Sequence, residues 1–446
     1  MNEISHDPSE YIRGIQQILI SDKKKIGFLF GAGSSLAKKN NKSLVVPAIE
    51  QMTTDIVKEV GDSEEKYKTA LASIKLELSD NYNIETILSN LELKSKLIGE
   101  GDTLNSLNKS EFKELISKVK EKVRKIVSVH KTKNDDDPPE EINVTREIIK
   151  ELVQTDFAEW IGQAERKYPI EIFTTNYDFL FELGLEYKEI PYYDGFCGSF
   201  RPFFNPESVE DLNFLSNQTK IWKIHGSLGW HYDDETEKIL RVHPDHNDIL
   251  IYPSSLKYKD SKKQPYESLM DRLSNFLKQD DTILITCGYS WGDEHINSRI
   301  TSALKTNTTS HVIGMIYDKY WDNDKKEYAY ALTKDSPLAK IGFDNSKISL
   351  YGNRNALIGC KYGEWKLKSE PDKEDTVNIN LYFDEDAHSD TEEDLKTEKK
   401  GEELWSGKGE FKLPDFANLA IFLNSMINEN EIKQIGNKAK KKDAKK

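Results

Sequence analysis

Apolar positions follow different rhythms in successive stretches of the chain. Residues 25–30, Lys-Ile-Gly-Phe-Leu-Phe, form a short run that stops at Gly31-Ala32-Gly33-Ser34-Ser35, which predicts a buried strand opening into a glycine turn. From about residue 50 to 165 the spacing becomes three or four: Leu71, Ile74 and Leu78, then Ile84, Ile87, Leu88 and Leu91. Several amphipathic helices are expected there, interrupted at residues 131–139, where a charge run ending in Pro138-Pro139 cannot continue a helix. Strand signals return at residues 170–175, 220–224, 282–287 and 310–317. Each of the first three is a short apolar run followed at once by polar or glycine residues, the pattern of parallel strands buried on both faces with a site at their C-terminal ends. Beyond residue 355, residues 376–383 alternate with a period near two and predict a strand with one wet face. A polar, charge-rich stretch to Lys400 follows, and residues 416–427 predict a helix that buries Phe416, Leu419, Ala420, Phe422 and Leu423.

The fold class expected from these elements is α/β: a Rossmann-like parallel sheet with helices on both faces, a large helical insertion and a small C-terminal α+β region. The expected division is a discontinuous Rossmann-like domain at 1–50 and 168–355, the insertion at 51–167, and the C-terminal region at 356–446.

Composition narrows the function. Over 446 residues, 63 Lys+Arg against 77 Asp+Glu give a net charge of −14. That balance argues against direct nucleic-acid binding, which needs Lys and Arg to neutralise phosphates; the basic stretch Lys438-Ala439-Lys440-Lys441-Lys442 is the local exception. No apolar run approaches the roughly 18 residues of a membrane span. The acidic, polar opening Met1-Asn2-Glu3 is unlike a signal peptide, so a cytoplasmic location is expected. Cys197, Cys287 and Cys360 lie far apart with no C-x-x-C pair, which excludes a disulfide framework and a cysteine-based structural zinc site.

The candidate chemistry sits at the strand ends. Residues 31–35 suit a phosphate cradle, since missing side chains let backbone N–H groups approach an anion and the two serine hydroxyls offer further donors; the alternative is an ordinary tight turn. Thr174-Thr175-Asn176-Tyr177-Asp178 places an amide and a carboxylate two residues apart, able to hold a ribose or a water, or to form an Asx turn before a helix. His225-Gly226-Ser227 puts an imidazole able to accept a proton at a strand end, beside a glycine that leaves room for a ligand. His243-Pro244-Asp245-His246 is read as a loop, because two histidines without further ligands do not make a metal site. Gly288-Tyr289-Ser290-Trp291-Gly292 formally matches the G-x-S-x-G elbow of serine hydrolases, with Ser290 as nucleophile.

Taken in order, G-A-G-S-S, T-T-N-Y-D, H-G-S and G-Y-S-W-G-D resemble the sirtuin superfamily, and more closely its bacterial sirtuin-like branch found in phage-defence proteins. The resemblance implies a nucleotide loop at Gly31, Ala32, Gly33 and Ser34, with Val46-Pro47 as the loop that follows. It implies an NAD-binding pair at Asn176 and Asp178, a catalytic histidine at His225, and a segment near the adenosine ribose at Gly288 and Ser290. Ser35, Pro47, Thr175, Gly226, Ser227, Tyr289 and Asp293 complete the expected NAD-binding set. Three scattered cysteines cannot build the family's four-cysteine zinc module, so the resemblance points to NAD hydrolysis, with NAD as substrate and no structural zinc, rather than to protein deacylation.

In that reading Asn176 positions water and the ribose, Asp178 fixes the loop that carries Asn176, and His225 takes the proton. Residues 288–297 and 407–411 further resemble the sirtuin-like subunit that pairs with a HerA-type ATPase. A homo-oligomer, gated by assembly or by such a partner, is expected, because uncontrolled NAD cleavage would harm the cell that makes it. The competing classes are a non-catalytic NAD or ADP-ribose sensor, a nuclease subunit, and the serine hydrolase.

Overall fold

The computed structural model describes residues 4–427 apart from 42, 131–143, 165, 234, 243–248, 252–263, 372–376 and 387–405. The expected loop at 131–139, the histidine pair His243 and His246, most of the polar stretch before Lys400 and the basic residues after 437 lie outside the described residues. The chain divides into two compact units, one drawn from Met1–Leu29, Val153–Ile170 and Leu277–Lys446, the other from Phe30–Leu152 and Glu171–Phe276.

In the first unit, Thr282–Cys287, His311–Met315 and Ile348–Tyr351 run parallel, pairing Leu284 with Val312 and Val312 with Ile348. Asn355–Ile358 and Lys361–Trp365 then add antiparallel strands, and Ser5–His6 closes the edge in parallel with Lys361–Trp365. The hairpin between the two antiparallel strands turns on Gly359 and Cys360, both at positive φ (58° and 60°), a two-residue connection whose backbone twist matches the strands. The helix Val153–Gln163 packs against Phe416–Ser425: the Phe157 and Phe416 rings lie 5.9 Å apart, and Asn424 Nδ2 donates to the Asp156 carbonyl at 2.9 Å. Phe416, Leu419, Ala420, Phe422 and Leu423 are buried.

The strand expected over 376–383 is not what forms in the described part of that stretch. The Asn378 side chain accepts from Asn380 N at 3.0 Å and caps a single 3-10 turn at Ile379–Leu381, so only Phe383–Glu385 is extended, pairing with Gly409–Phe411. An asparagine side chain that bonds its own backbone outcompetes a ladder there.

In the second unit, Glu171–Thr174 and Thr219–Lys223 are parallel neighbours, with Tyr192–Tyr193 beyond them. The helices Ile49–Ser63, Glu65–Leu78, Ile84–Leu97 and Lys109–Val127 form where the spacing predicts helices. Lys109–Val127 buries Phe112, Leu115, Val119, Val123 and Val127, one stripe at three- and four-residue steps. Ile84–Leu97 and Lys109–Val127 each open on an asparagine capping box, Asn83 with Thr86 and Asn108 with Glu111. The core of these helices also takes in Val46, Tyr177, Leu180 and Leu228, so the strand-end loops and the helical region share one apolar interior. Parallel strands alternating with helices in both units are compatible with a Rossmann-like fold. Among the described residues no helix is long and apolar enough to cross a membrane.

Candidate functional site

The site is built where Glu171–Thr174 and Thr219–Lys223 end. Their continuations stay side by side: Ile224 N donates to the Thr174 carbonyl at 2.8 Å and Leu228 N to the Tyr177 carbonyl at 3.2 Å. Thr175 N donates to the Phe30 carbonyl at 3.1 Å, which brings residues 175–178 to the turn that begins at Gly31. That turn opens the short helix Ala32–Leu36, with Gly31 as its N-terminal flank.

Asn176 ties these loops together. Its Nδ2 donates to the Gly31 carbonyl (3.1 Å), to Ser34 Oγ (3.0 Å) and to Ser35 Oγ (2.8 Å), all buried. Ser34 Oγ in turn donates to the Gly31 carbonyl at 2.8 Å, and Ser35 Oγ to Asp178 Oδ2 at 2.7 Å. The serine hydroxyl protons therefore brace the turn instead of facing outward as phosphate donors. Asp178 is capped on both sides: Oδ2 takes Ser35 and Oδ1 accepts Leu180 N at 3.0 Å, the Asx geometry that starts the helix Leu180–Tyr187. Val46, just before Pro47, returns to the same turn by donating its N–H to the Ser35 carbonyl at 2.9 Å.

A buried ion pair supports the Asp178 loop from beneath. Lys223 Nζ lies 2.8 Å from Glu182 Oε1, donates also to the Asp178 carbonyl, and stands 5.0 Å from the Phe179 ring centre. Burial raises the Glu182 carboxyl above its ordinary range, outweighing the pull of Lys223.

His225 is buried at the next strand end, with Nδ1 3.5 Å from Glu85 Oε1 on the helix Ile84–Leu97. The same oxygen accepts the Tyr177 hydroxyl. Gly226 follows at φ +99°, a conformation that a side chain would strain, and this bend lets Gly226–Leu228 pair with Ile249–Ile251. Ser227 is fully buried, and its Oγ has no hydrogen-bond partner among the described residues. Such an atom is costly unless a ligand or water satisfies it, so it fits a polar group received at this strand end.

Gly288, Tyr289, Ser290 and Asp293 belong to the first unit and form a self-bonded turn. Tyr289 Oη donates to Asn297 Oδ1 (2.9 Å), Asn297 Nδ2 donates to the Trp291 carbonyl (2.7 Å), and Asp293 Oδ1 caps Glu294–Thr306 by accepting His295 N at 2.9 Å. A hydrolase elbow carries its strain at the nucleophile, whereas here positive φ falls on Gly288 and Trp291 and not on Ser290, whose Oγ accepts Gly292 N at 3.3 Å. Cys287 is a packing residue: burial pushes its thiol up, and its Sγ points to the Pro414 carbonyl at 3.8 Å. Among the described residues no group of His, Cys, Asp and Glu could hold a metal ion.

The strand-end motifs single out Asn176, Asp178 and His225 but not Glu85, Tyr177, Lys223 or Glu182. The only sequence trace of Glu85 is the Asn83-x-x-Thr86 box around it, which fixes a helix start and nothing more.

With this geometry in place, residues 170–336 match the family described as the SIR2-like domain. The match spans Asn176, Asp178, His225 and residues 288–293, and leaves the turn at 31–35 and Glu85 outside it. No curated protein matches the chain. SIR2-like domains act on NAD, so the matched region carries an NAD-related assignment.

Proposed function

We propose that the chain is an NAD glycohydrolase, cleaving the bond between nicotinamide and ribose to release nicotinamide and ADP-ribose. The observation that carries the reading is Asn176, whose amide binds the 31–35 turn while its neighbour Tyr177 reaches the carboxylate that faces His225. One loop thereby links the two motifs whose residue types the chemistry needs.

Nicotinamide leaves as a neutral molecule while positive charge grows on the sugar, so orientation and a base matter more than an acid at the leaving group. In this reading the backbone of the 31–35 turn faces the pyrophosphate, Ser227 Oγ finds its missing partner on the substrate, and Asn176, whose Nδ2 is taken up by the turn, orients the ribose and the attacking water through Oδ1. His225 accepts the proton that water loses as its oxygen bonds to the ribose carbon and the carbon–nitrogen bond breaks. Asp178 holds the loop rather than the substrate, since both its oxygens are already engaged within the protein.

Positioned acid–base groups contribute about a hundred- to ten-thousand-fold in rate. Asn176→Ala and His225→Ala are each expected to lose ADP-ribose release on that scale while remaining folded, as followed by chromatography of NAD digests. Undiminished cleavage by both purified variants would reject the assignment, and NAD recovered intact from the native protein under every condition would favour a sensor. A role in phage defence is proposed on the resemblance of the strand-end motifs, a HerA-type ATPase partner on that of residues 288–297 and 407–411, and gating by self-assembly or by that partner because uncontrolled NAD cleavage would harm the cell. Equal turnover with and without that partner, at matched oligomer size, would count against gating by the ATPase.

A further inference from the structure

We infer that Glu85 is a positioning residue for His225: its carboxylate holds the imidazole with the proton on Nδ1, leaving Nε2 as the atom that accepts a proton. The inference rests on the NAD-cleavage reading and adds to it a residue from the helical region, outside every strand-end motif and outside the SIR2-like match.

Three observations converge on it. Glu85 Oε1 lies 3.5 Å from His225 Nδ1, within ion-pair range though long for a hydrogen bond, and catalytic hydrogen bonds commonly tighten when substrate binds. The two side chains are only 8% and 14% exposed, so water screens their interaction weakly. The oxygen is also fixed from two directions. The Tyr177 hydroxyl donates to it, and the first turn that carries it is pinned, because Asn83 Oδ1 accepts Glu85 N and Thr86 N at 3.1 Å each while Ile84 N donates to Thr53 Oγ1 at 2.9 Å. Ile84, Ile87, Leu88 and Leu91 anchor the rest of the helix in the core. Glu85 also stands in the first turn of its helix, where a negative charge interacts favourably with the helix's positive end.

When Nε2 takes the proton lost by water, the ring becomes an imidazolium whose Nδ1–H still points at Glu85. The carboxylate takes no proton; it orients the ring beforehand and stabilises the charge afterwards. Tyr177 keeps the same oxygen from turning away, so the helical region supplies part of the reaction machinery and is more than a cover for the strands.

The test uses the full chain labelled with nitrogen-15 histidine, in which long-range proton–nitrogen spectra report which ring nitrogen carries the proton and His225→Gln identifies the signals. The native protein is expected to show His225 protonated at Nδ1, and Glu85→Leu to shift it toward Nε2–H. With NAD, Glu85→Leu is expected to lower kcat roughly a hundredfold with KM within about twofold, and Glu85→Gln, which keeps an acceptor without the charge, about tenfold. An unchanged ring proton in folded Glu85→Leu overturns the inference. Should that variant not fold, full kcat in Glu85→Gln overturns it and a kcat loss at unaltered melting temperature supports it. The tautomer is read without turnover, so a native protein that leaves NAD intact rejects the glycohydrolase reading while the ring proton still decides the role of Glu85.

Discussion

The side-chain amide of Asn176 shares two protons among three acceptors, and every one of those acceptors belongs to the turn at 31–35. Replacing it with aspartate removes the donor and sets a carboxylate against the Gly31 carbonyl and close to Asp178, which is itself bonded to Ser35. Asn176→Asp is therefore expected to cost stability as well as activity, about 1–3 kcal/mol for the unsatisfied buried groups, read as a lower midpoint in urea unfolding. Asn176→Ala, which leaves no new charge, should unfold closer to the native midpoint. The comparison separates the brace from the chemistry. Ser35→Ala should likewise lose about 1.5–3 kcal/mol, the usual worth of a hydrogen bond to a charged group, because the hydroxyl's partner is Asp178 rather than a ligand.

At the scale of elements, the strand Thr219–Lys223 ends in a buried cation that stabilises the next loop through Glu182 and the Asp178 carbonyl. Lys223→Met leaves Glu182 buried without its partner and is expected to destabilise by about 3–5 kcal/mol, whereas Lys223→Met with Glu182→Leu should recover much of that loss; denaturant midpoints of the single and double variants decide it. The strands at 171–174, 219–223, 282–287 and 311–315 were legible in sequence because each is a short apolar run bounded by polar or glycine residues. Ile348–Tyr351, Asn355–Ile358 and Lys361–Trp365 were not. Lys361–Trp365 mixes Lys, Gly and Glu with its aromatics, and the hairpin that joins it to Asn355–Ile358 turns on Gly359-Cys360, with cysteine where asparagine or glycine usually marks such a turn. Glu85 was hidden for a different reason. On an amphipathic helix a glutamate beside the apolar stripe reads as solvent-facing, and only the tertiary fold shows that a histidine more than a hundred residues away meets it.

At the scale of the whole chain, the buried His6 and the half-buried His311 of the first unit make its stability depend on pH. Burial lowers His6 despite the opposing hydrogen bond of its ring Nε2 to the Lys361 carbonyl at 3.0 Å, and burial beside Lys347 lowers His311, whose Nε2 bonds Ser349 Oγ at 3.0 Å. Both stay neutral when folded at a pH where the unfolded chain, at the ordinary 6.5, has already bound protons. Stability therefore falls as pH drops below 6.5, by up to about 1.4 kcal/mol per pH unit for each ring. Urea midpoints at pH 7.5 and 5.5 should show the drop, and His311→Gln should flatten it. The second unit carries a different lesson, in the way Tyr177, Leu180 and Leu228 lie in the same apolar interior as Ile56, Ile87 and Phe112. Cutting out residues 49–127 would leave those three apolar side chains facing water, so this unit does not reduce to its strands and their loops without the helices.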